Sequence, residues 1–246
     1  MPRLPIVAID GPAGAGKSTI AKHLAARLNF ILLDTGALYR TIALAAARAG
    51  LLEGIDPNSD HEDSSATITA LAEAIAERNG ISLEQDPAQA KGLRVRLDGE
   101  DVSDAIRAPE MGMGASRVSA IAGVRESLMN LQRSIAKNGG VVAEGRDMGT
   151  VVFPDSLAKF FLTASLEARA ERRRLEFVER GEDIDLEEIK KNVAQRDKQD
   201  SERAIAPLKR ADDATLIDST GRSIDHILEE MEERVRAVMG HDESPT

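Results

Sequence analysis

A glycine-rich run near the N-terminus constrains the fold of this chain more than any other feature. Residues 11–18 read Gly-Pro-Ala-Gly-Ala-Gly-Lys-Ser and match the pattern G-x-x-x-x-G-K-S/T at every fixed position. The apolar run Ile6–Ile9 precedes the motif, and Ile20, Leu24 and Leu28 follow it at the four-residue spacing of a helix. A strand, a glycine-rich turn and a helix in this order predict a phosphate-binding loop.

The residue types of this loop explain its expected chemistry. Glycines let consecutive backbone N–H groups point at a phosphate, and the start of a helix adds positive potential. We expect Lys17 to reach the β- and γ-phosphates of ATP and the Ser18 hydroxyl to bind the Mg²⁺ cofactor between them. The predicted donor site consists of Gly11, Pro12, Ala13, Gly14, Ala15, Gly16, Lys17, Ser18 and Thr19.

Short apolar runs alternate with amphipathic segments along most of the chain. Val141–Ala143, Lys159–Thr163 and Thr215–Ile217 have the composition of buried strands, and helical periodicity lies between them. This alternation predicts an α/β fold with a parallel sheet covered by helices on both faces. Ligands of such sheets bind at the carboxyl ends of the strands.

Residues 63–104 interrupt the alternation. After an Ala-rich helical segment, residues 81–85 and 93–97 have the pattern of short antiparallel strands, and Asp98-Gly99 that of a tight turn. We therefore predict a core formed by residues 1–62 and 105–246, with an inserted subdomain at 63–104.

Composition narrows the function classes. The chain has no cysteine, which excludes disulfides, thiol nucleophiles and Cys-ligated metals. A net charge of −10 argues against a nucleic-acid partner. The apolar run Leu4–Ile9 is too short for a signal-peptide core or a membrane span. We expect a cytoplasmic protein that binds neither nucleic acid nor membrane.

A phosphate loop indicates the phosphoryl donor but not the acceptor. A regulatory GTPase would carry an Asn-Lys-x-Asp motif, and the sequence has none. Two alternatives to the function given below stay open at this point. One is a different small-molecule kinase, acting on UMP or on a non-nucleotide alcohol, and the other is a nucleotide-binding module without enzymatic activity.

Three further motifs carry a resemblance to a known family. Residues 33–40 read Leu-Asp-Thr-Gly-Ala-Leu-Tyr-Arg, residues 144–155 read Glu-Gly-Arg-Asp-Met-Gly-Thr-Val-Val-Phe-Pro-Asp, and residues 203–208 read Arg-Ala-Ile-Ala-Pro-Leu. With the phosphate loop, they make the chain resemble the bacterial cytidylate kinases from Ile6 to about Val238. The resemblance implies a P-loop kinase of pyrimidine metabolism that transfers the γ-phosphoryl group of ATP to CMP or dCMP. It also implies a short helical lid at about 169–183, and we expect a monomer.

The resemblance assigns an acceptor site residue by residue. Arg40 and Arg146, with Arg125 as a further candidate, would hold the CMP phosphate, and a guanidinium fork suits a phosphate dianion. The full set implied for the substrate is Thr35, Gly36, Tyr39, Arg40, Ser116, Arg125, Arg146, Asp147, Asp200 and Arg203.

Recognition of cytosine would fall to Ser116, Arg125 and Asp147. A carboxylate accepts from the exocyclic amine, while a hydroxyl or guanidinium donates to the ring acceptors, and uracil would meet the wrong partners. Asp200 and Arg203 would bind the sugar. The alternatives remain that Asp147 only braces Arg146, that Ser116 and Arg125 are surface residues, and that Tyr39 only packs.

The segment that resembles the lid is rich in arginine. On helical spacing Arg169, Arg172 and Arg173 share a face, whereas Arg174 points elsewhere. Lid arginines would stabilise the charge of the moving phosphoryl group and exclude water. We therefore favour Arg172 and Arg173 as functional, with Arg196 as a third candidate. Together with the lysine of the phosphate loop, the predicted catalytic residues are Lys17, Arg172, Arg173 and Arg196.

Overall fold

The computed structural model describes residues 4–52, 62–86, 92–179 and 181–241. Its strands are β1 (Ile6–Asp10), β2 (Ile31–Asp34), β3 (Ile81–Gln85), β4 (Leu93–Leu97), β5 (Glu100–Asp101), β6 (Val141–Gly145), β7 (Ala158–Thr163) and β8 (Thr215–Asp218). Its α-helices are α1 (Lys17–Leu28), α2 (Thr35–Arg48), α3 (Glu62–Glu77), α4 (Pro109–Val118), α5 (Ala122–Ile135), α6 (Leu166–Val178), α7 (Leu186–Glu202) and α8 (Ile224–His241). None of the helices within these ranges is long and apolar enough to cross a bilayer.

The chain divides into two compact units. The phosphate-loop unit comprises Met1–Ile31 and Asn138–Thr246, and the central unit comprises Leu32–Lys137. The predicted insertion, residues 63–104, lies within the central unit, and its boundaries stay a prediction.

A parallel sheet forms the core of the fold, with strand order β2-β6-β1-β7-β8. Strand β1 runs parallel to β6 and to β7, and Asp10 at its end lies opposite both Gly145 and Phe161. The carboxyl ends of β1 and β6 are therefore neighbours. The phosphate loop after β1 and the Arg146-Asp147 segment after β6 start side by side, as the predicted parallel sheet requires.

Burial explains the apolar runs in the central strands of the parallel sheet. Val7, Ala8 and Ile9 of β1 are fully buried, as are the residues of Val141–Ala143 in β6. Helix α1 packs against α8. Most of the residues that the helical pattern places inward are buried: Ile20 and Leu24 in α1, and Ile227, Leu228, Met231 and Val235 in α8. Leu28 is only half-buried and Ile224 is exposed, because both lie at the ends of their helices.

Helices α6 and α7 share a small core of their own. Ala170 of α6 is buried against Ile189 and Val193 of α7, with partly buried apolar residues around them. Asp185 caps α7, because its side chain accepts the backbone N–H groups of Glu187 and Glu188.

The central unit contains the second sheet. Strand β3 pairs antiparallel with β4, and β4 pairs antiparallel with β5. Asp98 and Gly99 link β4 to β5 with φ values of 49° and 85°, and a tight hairpin turn needs positive φ at both of its central positions. Helix α2 packs on α4, and α3 packs on α5. The small antiparallel sheet predicted from residues 81–99 is confirmed.

Candidate functional site

The phosphate loop lies between β1 and α1, where the sequence places it. Gly11 has a φ of 149°, and a Cβ atom there would collide with the carbonyl oxygen of Leu162. Glycine is therefore required where the loop leaves the strand. Gly14 and Gly16 also have positive φ, and helix α1 starts directly after the loop at Lys17.

Lys17 is buried, with 6% of its surface exposed. Its ammonium donates a hydrogen bond of 2.7 Å to the carbonyl oxygen of Pro12 in the same loop. Burial lowers the pKa of Lys17 well below its ordinary value, the positive charges of Arg146 and Arg196 lower it further, and Glu144 opposes them. A phosphate anion beside Lys17 would favour the charged ammonium.

Ser18 lies beside an acidic residue of the neighbouring strand. Its hydroxyl donates to Oε2 of Glu144 in β6 at 3.0 Å, and the Glu144 side chain is buried. Hydroxyl and carboxylate oxygens are the ligands that Mg²⁺ prefers, so this pair fits the predicted metal. The sequence analysis named Ser18 but gave Glu144 no role. The available signal was an acidic residue near the carboxyl end of a buried strand.

Four of the predicted substrate residues come together in the phosphate-loop unit. Nε of Arg146 donates to Oδ2 of Asp200 at 2.7 Å, and Nη2 of Arg203 lies 3.7 Å from Oδ1 of Asp147. Asp147 is only 2% exposed. Burial opposes the charge of Asp200, but Arg146 and Arg196 outweigh it and hold its pKa below the ordinary value. The four residues thus form two ion pairs whose carboxylates are buried.

The 203–208 motif has a local reason for its shape. Nε of Arg203 donates to the carbonyl oxygen of Ala206 at 2.6 Å, and Leu208 donates its N–H to the carbonyl oxygen of Asp200 at 2.7 Å. Ala206 has a φ of 48°, which is unfavourable for a residue with a Cβ atom. These hydrogen bonds maintain the turn that holds Arg203 near Asp147.

Two arginines of α6 contact the phosphate loop. Nη1 of Arg172 donates to the carbonyl oxygen of Ala15 at 3.2 Å, and both of its terminal nitrogens donate to Ser219 after β8. Nη1 of Arg169 donates to the carbonyl oxygen of Ala13 at 3.1 Å and to Asp197 of α7 at 2.6 Å. Arg172 therefore contacts the donor loop, and its catalytic role stays a prediction. Arg169 was left out of the predicted site although it braces the same loop.

The next two arginines of α6 bond within their own helix. Arg173 pairs with Glu176 at 2.6 Å and lies over the ring of Phe177. Arg174 pairs with Glu171 at 2.7 Å. The structure thus places Arg172 against the donor loop and directs Arg173 along its own helix. The positive charge of Arg196 lowers the pKa of Lys17 in that loop.

The central unit holds the other predicted substrate residues, four of them at the start of α2. Asp34 caps this helix, because its Oδ1 accepts the N–H of Ala37 at 2.9 Å. Its Oδ2 accepts Nη2 of Arg40 at 2.9 Å. A Cβ atom on Gly36 would lie 2.8 Å from Nη1 of Arg40, so the glycine leaves room for this ion pair. Thr35, beside Gly36, is buried.

Tyr39 and Arg125 form a second cluster in the central unit. The Arg125 guanidinium lies 5.6 Å from the centroid of the Tyr39 ring, a cation–π distance. Arg125 is 3% exposed, and its Nη1 donates to the carbonyl oxygen of Ser119 at 3.4 Å. Ser116 accepts a hydrogen bond from Ser119 through its own carbonyl oxygen. Arg125 is therefore a buried residue and not an ordinary surface arginine.

Asp10, the last residue of β1, escaped the sequence analysis. It is 4% exposed, and its two oxygens accept the N–H groups of Met148 and Gly149, each at 2.8 Å. Burial raises the pKa of Asp10 to about 6 against the two hydrogen bonds; the charge of Asp147 adds to the rise and that of Lys17 opposes it. An acidic residue directly before the glycine motif was the signal.

Comparison with known proteins finds a match over nearly the whole chain, including the residues described above. The family model described as "Cytidylate kinase" matches residues 7–237. A cytidylate kinase of Geobacter sulfurreducens is 51% identical over 232 residues, which cover 94% of this chain and 92% of that protein. Cytidylate kinases of Geobacter sp. (strain M21) and Pseudomonas aeruginosa (strain LESB58) are 48% and 46% identical, over 94% and 92% of this chain and 92% and 93% of their own lengths.

Proposed function

This chain belongs to the cytidylate kinase family, and from that membership we propose how its residues carry out the reaction. The protein is a (d)CMP kinase, a phosphotransferase that moves the γ-phosphoryl group of ATP to CMP or dCMP and releases ADP with CDP or dCDP. The observation that carries this assignment is the family match across residues 7–237, which includes the phosphate loop and both groups of candidate substrate residues.

The donor site is the loop from Gly11 to Thr19. Its backbone N–H groups and the start of α1 hold the phosphates of ATP. Lys17 exchanges the carbonyl oxygen of Pro12 for the β- and γ-phosphates. A buried ammonium gains more from an anion than from a neutral carbonyl, so phosphate binding is favoured over the bond seen in the structure.

Mg²⁺ would be held by the Ser18 hydroxyl, with the Glu144 carboxylate beside it. When bound, the ion neutralises charge on the β- and γ-phosphates of ATP. Ser18 lies in the first turn of α1 and Glu144 near the carboxyl end of β6, and the hydrogen bond between their side chains already places the two oxygens next to each other.

The acceptor site takes its phosphate-binding groups from Arg40 and Arg146, with Arg125 as a third. In the structure Arg40 is held by Asp34 and Arg146 by Asp200, both through hydrogen-bonded ion pairs. A guanidinium has further donors beyond those engaged by one carboxylate. Each arginine can therefore keep its partner and still bind a phosphate oxygen.

The nucleoside of CMP is read by the remaining polar groups. Asp147 accepts from the cytosine amine, while Ser116 and Arg125 donate to the ring acceptors. Asp200 and Arg203 bind the sugar, and Thr35, Gly36 and Tyr39 line the site.

Transfer proceeds in line, from the γ-phosphorus of ATP to an oxygen of the CMP phosphate. That oxygen is already anionic at neutral pH, so no general base is needed. Lys17, Arg172, Arg173 and Arg196 stabilise the negative charge that develops on the moving group. Arg172 is already attached to the donor loop at Ala15.

The remaining parts of the proposal concern the setting of the enzyme. We expect it to act as a cytoplasmic monomer on small molecules alone. Its net charge of −10 disfavours nucleic-acid and anionic membrane surfaces.

The test is ADP release from ATP and Mg²⁺ with CMP, dCMP, UMP, AMP and shikimate offered separately. Rapid release with CMP and dCMP, well above the rate with the other acceptors, is the expected result. A preference for another acceptor would indicate a different small-molecule kinase, and ATP binding without acceptor-dependent release would indicate a nucleotide-binding module.

A further inference from the structure

A π-helical turn, Met148–Val152, follows the Arg146-Asp147 segment. The N–H groups of Val151 and Val152 bond within the turn, to the carbonyl oxygen of Asp147. The first N–H groups of any helical turn lack an acceptor inside it. Here Asp10 supplies one from a distant part of the sequence, because its two oxygens accept the N–H groups of Met148 and Gly149 at 2.8 Å each.

The position of Asp10 makes this a link between two functional segments. Asp10 ends β1, so the phosphate loop begins at the next residue, and it lies opposite Gly145 at the end of β6. On one side of the link stands the donor loop. On the other stand Arg146 and Asp147, whose side chains meet Asp200 and Arg203.

The π-helical turn packs closely against the Asp10 carboxylate at Gly149. A Cβ atom added to Gly149 would be 3.4 Å from Oδ2 of Asp10 and 3.2 Å from Cδ of Lys159. The larger side chain would have to displace the turn, Lys159 or Asp10, since contacts near 3.2 Å are closer than packed carbon atoms normally come. A side chain at position 149 would therefore disturb the contact between the turn and Asp10.

We infer that Asp10 is a positioning residue for the acceptor nucleotide, which fixes the backbone that presents Arg146 and Asp147 relative to the donor loop. This inference rests on the proposed function, because that function assigns Arg146 and Asp147 to CMP. Asp10 acts through the backbone of Met148 and Gly149 and does not itself contact substrate.

The ionised carboxylate has only acceptors, so it accepts both N–H groups, one on each oxygen. Charged groups around it act in opposite directions: Asp147 raises its pKa and Lys17 lowers it. Lys159 of β7, whose methylenes border Gly149, directs its ammonium to Asp213 at 2.7 Å. An Asp10→Asn side chain keeps the shape but turns an NH₂ donor towards one of the two N–H groups.

The experiment compares the wild type with Asp10→Asn in steady-state kinetics. We expect the KM for CMP to rise about tenfold or more and kcat to fall, the effect of losing one buried hydrogen bond to a charged acceptor. The dissociation constant for ATP, measured by calorimetry without CMP, should change by less than about twofold because the phosphate-loop N–H groups are intact.

Ser156→Ala is the matched control. The Ser156 hydroxyl bonds the carbonyl oxygen of Ile6, at the other end of β1, at 2.6 Å. Loss of this hydroxyl removes a hydrogen bond to the same strand and leaves the contacts of residues 145–149 in place. The KM for CMP, the KM for ATP and kcat should therefore match those of the wild type.

Gly149→Ala disturbs the link from its other side and should also raise the KM for CMP while ATP affinity is kept. Thermal unfolding checks that each variant is folded. If Asp10→Asn does not fold, the kinetics of Gly149→Ala test the inference instead. An unchanged KM for CMP in the deciding variant, or a loss confined to ATP, would overturn the inference. A wild type that fails to phosphorylate CMP would instead overturn the proposed function.

Discussion

At the scale of single residues, Asp147 carries the proposed choice between cytosine and uracil. Its carboxylate only accepts, which suits the cytosine amine, whereas an amide can accept or donate. Asp147→Asn should therefore reduce the ratio of kcat/KM for CMP over UMP by about tenfold to a hundredfold. Kinetics with both nucleotides measure the ratio. Asp213→Asn, which alters only the exposed partner of Lys159, serves as control. A ratio kept in the Asp147 variant would contradict the proposed base contact.

The raised pKa of Asp10 predicts how the free energy of unfolding changes with pH. Its folded-state pKa is raised from 3.8 to about 6, so in this pH interval the folded chain binds more protons than the unfolded chain. The contribution of Asp10 to the unfolding free energy is therefore largest below pH 4 and falls as the pH rises through 6, by about 3 kcal/mol in all.

Urea unfolding of the wild type and of Asp10→Asn between pH 4 and 7 isolates that contribution. The wild type should lose stability relative to the variant as the pH rises. Parallel stability curves would show that Asp10 has an ordinary pKa in the folded chain.

Some of the site residues can be predicted from the sequence, and others cannot. Lys17 and Ser18 follow from the spacing of one motif, and their roles need only local geometry. Glu144 and Asp10 stand out in the sequence only as acidic residues near strand ends, and their partners became known from the structure. They bond Ser18 and Met148, which are 126 and 138 residues away, and such pairs depend on which strands become neighbours.

At the scale of elements, helix α6 tests the proposed use of its arginines. Arg172 contacts the donor loop, whereas Arg174 pairs with Glu171 on the same helix. Arg172→Ala should lower kcat by about a hundredfold, the range found when one charge-stabilising donor is removed. Arg174→Ala should stay within about twofold, because an exposed i,i+3 pair contributes little. Equal effects on kcat in the two variants would contradict the assignment.

Helical periodicity placed Arg169, Arg172 and Arg173 on one face, but it could not say which would reach the loop. That depends on how α6 leaves β7 and on partners one turn away, such as Glu176 for Arg173. The small hairpin was predictable because Asp98-Gly99 suits a turn with positive φ. The π-helical turn Met148–Val152 was not, since its first N–H groups bond a residue of another strand.

At the scale of the whole molecule, the sequence pattern predicts the parallel sheet, and the structure adds a division into two compact units. The central unit extends over Leu32–Lys137, beyond the predicted insertion at 63–104. Helix α2 packs on α4, and α3 packs on α5. These contacts join segments far apart in sequence, and hydrophobic periodicity shows which face of a helix is buried without showing its partner.

We propose that the donor loop binds ATP, that the acceptor site binds CMP, and that the phosphoryl group passes directly from one to the other. The most direct measurement follows the label of γ-³²P-ATP with CMP and Mg²⁺, in the wild type and in Lys17→Ala. We expect the wild type to place the label in CDP, one for each ADP formed, and Lys17→Ala to be folded but slower by about a thousandfold or more. Label released as inorganic phosphate, or full transfer by Lys17→Ala, would contradict this proposal.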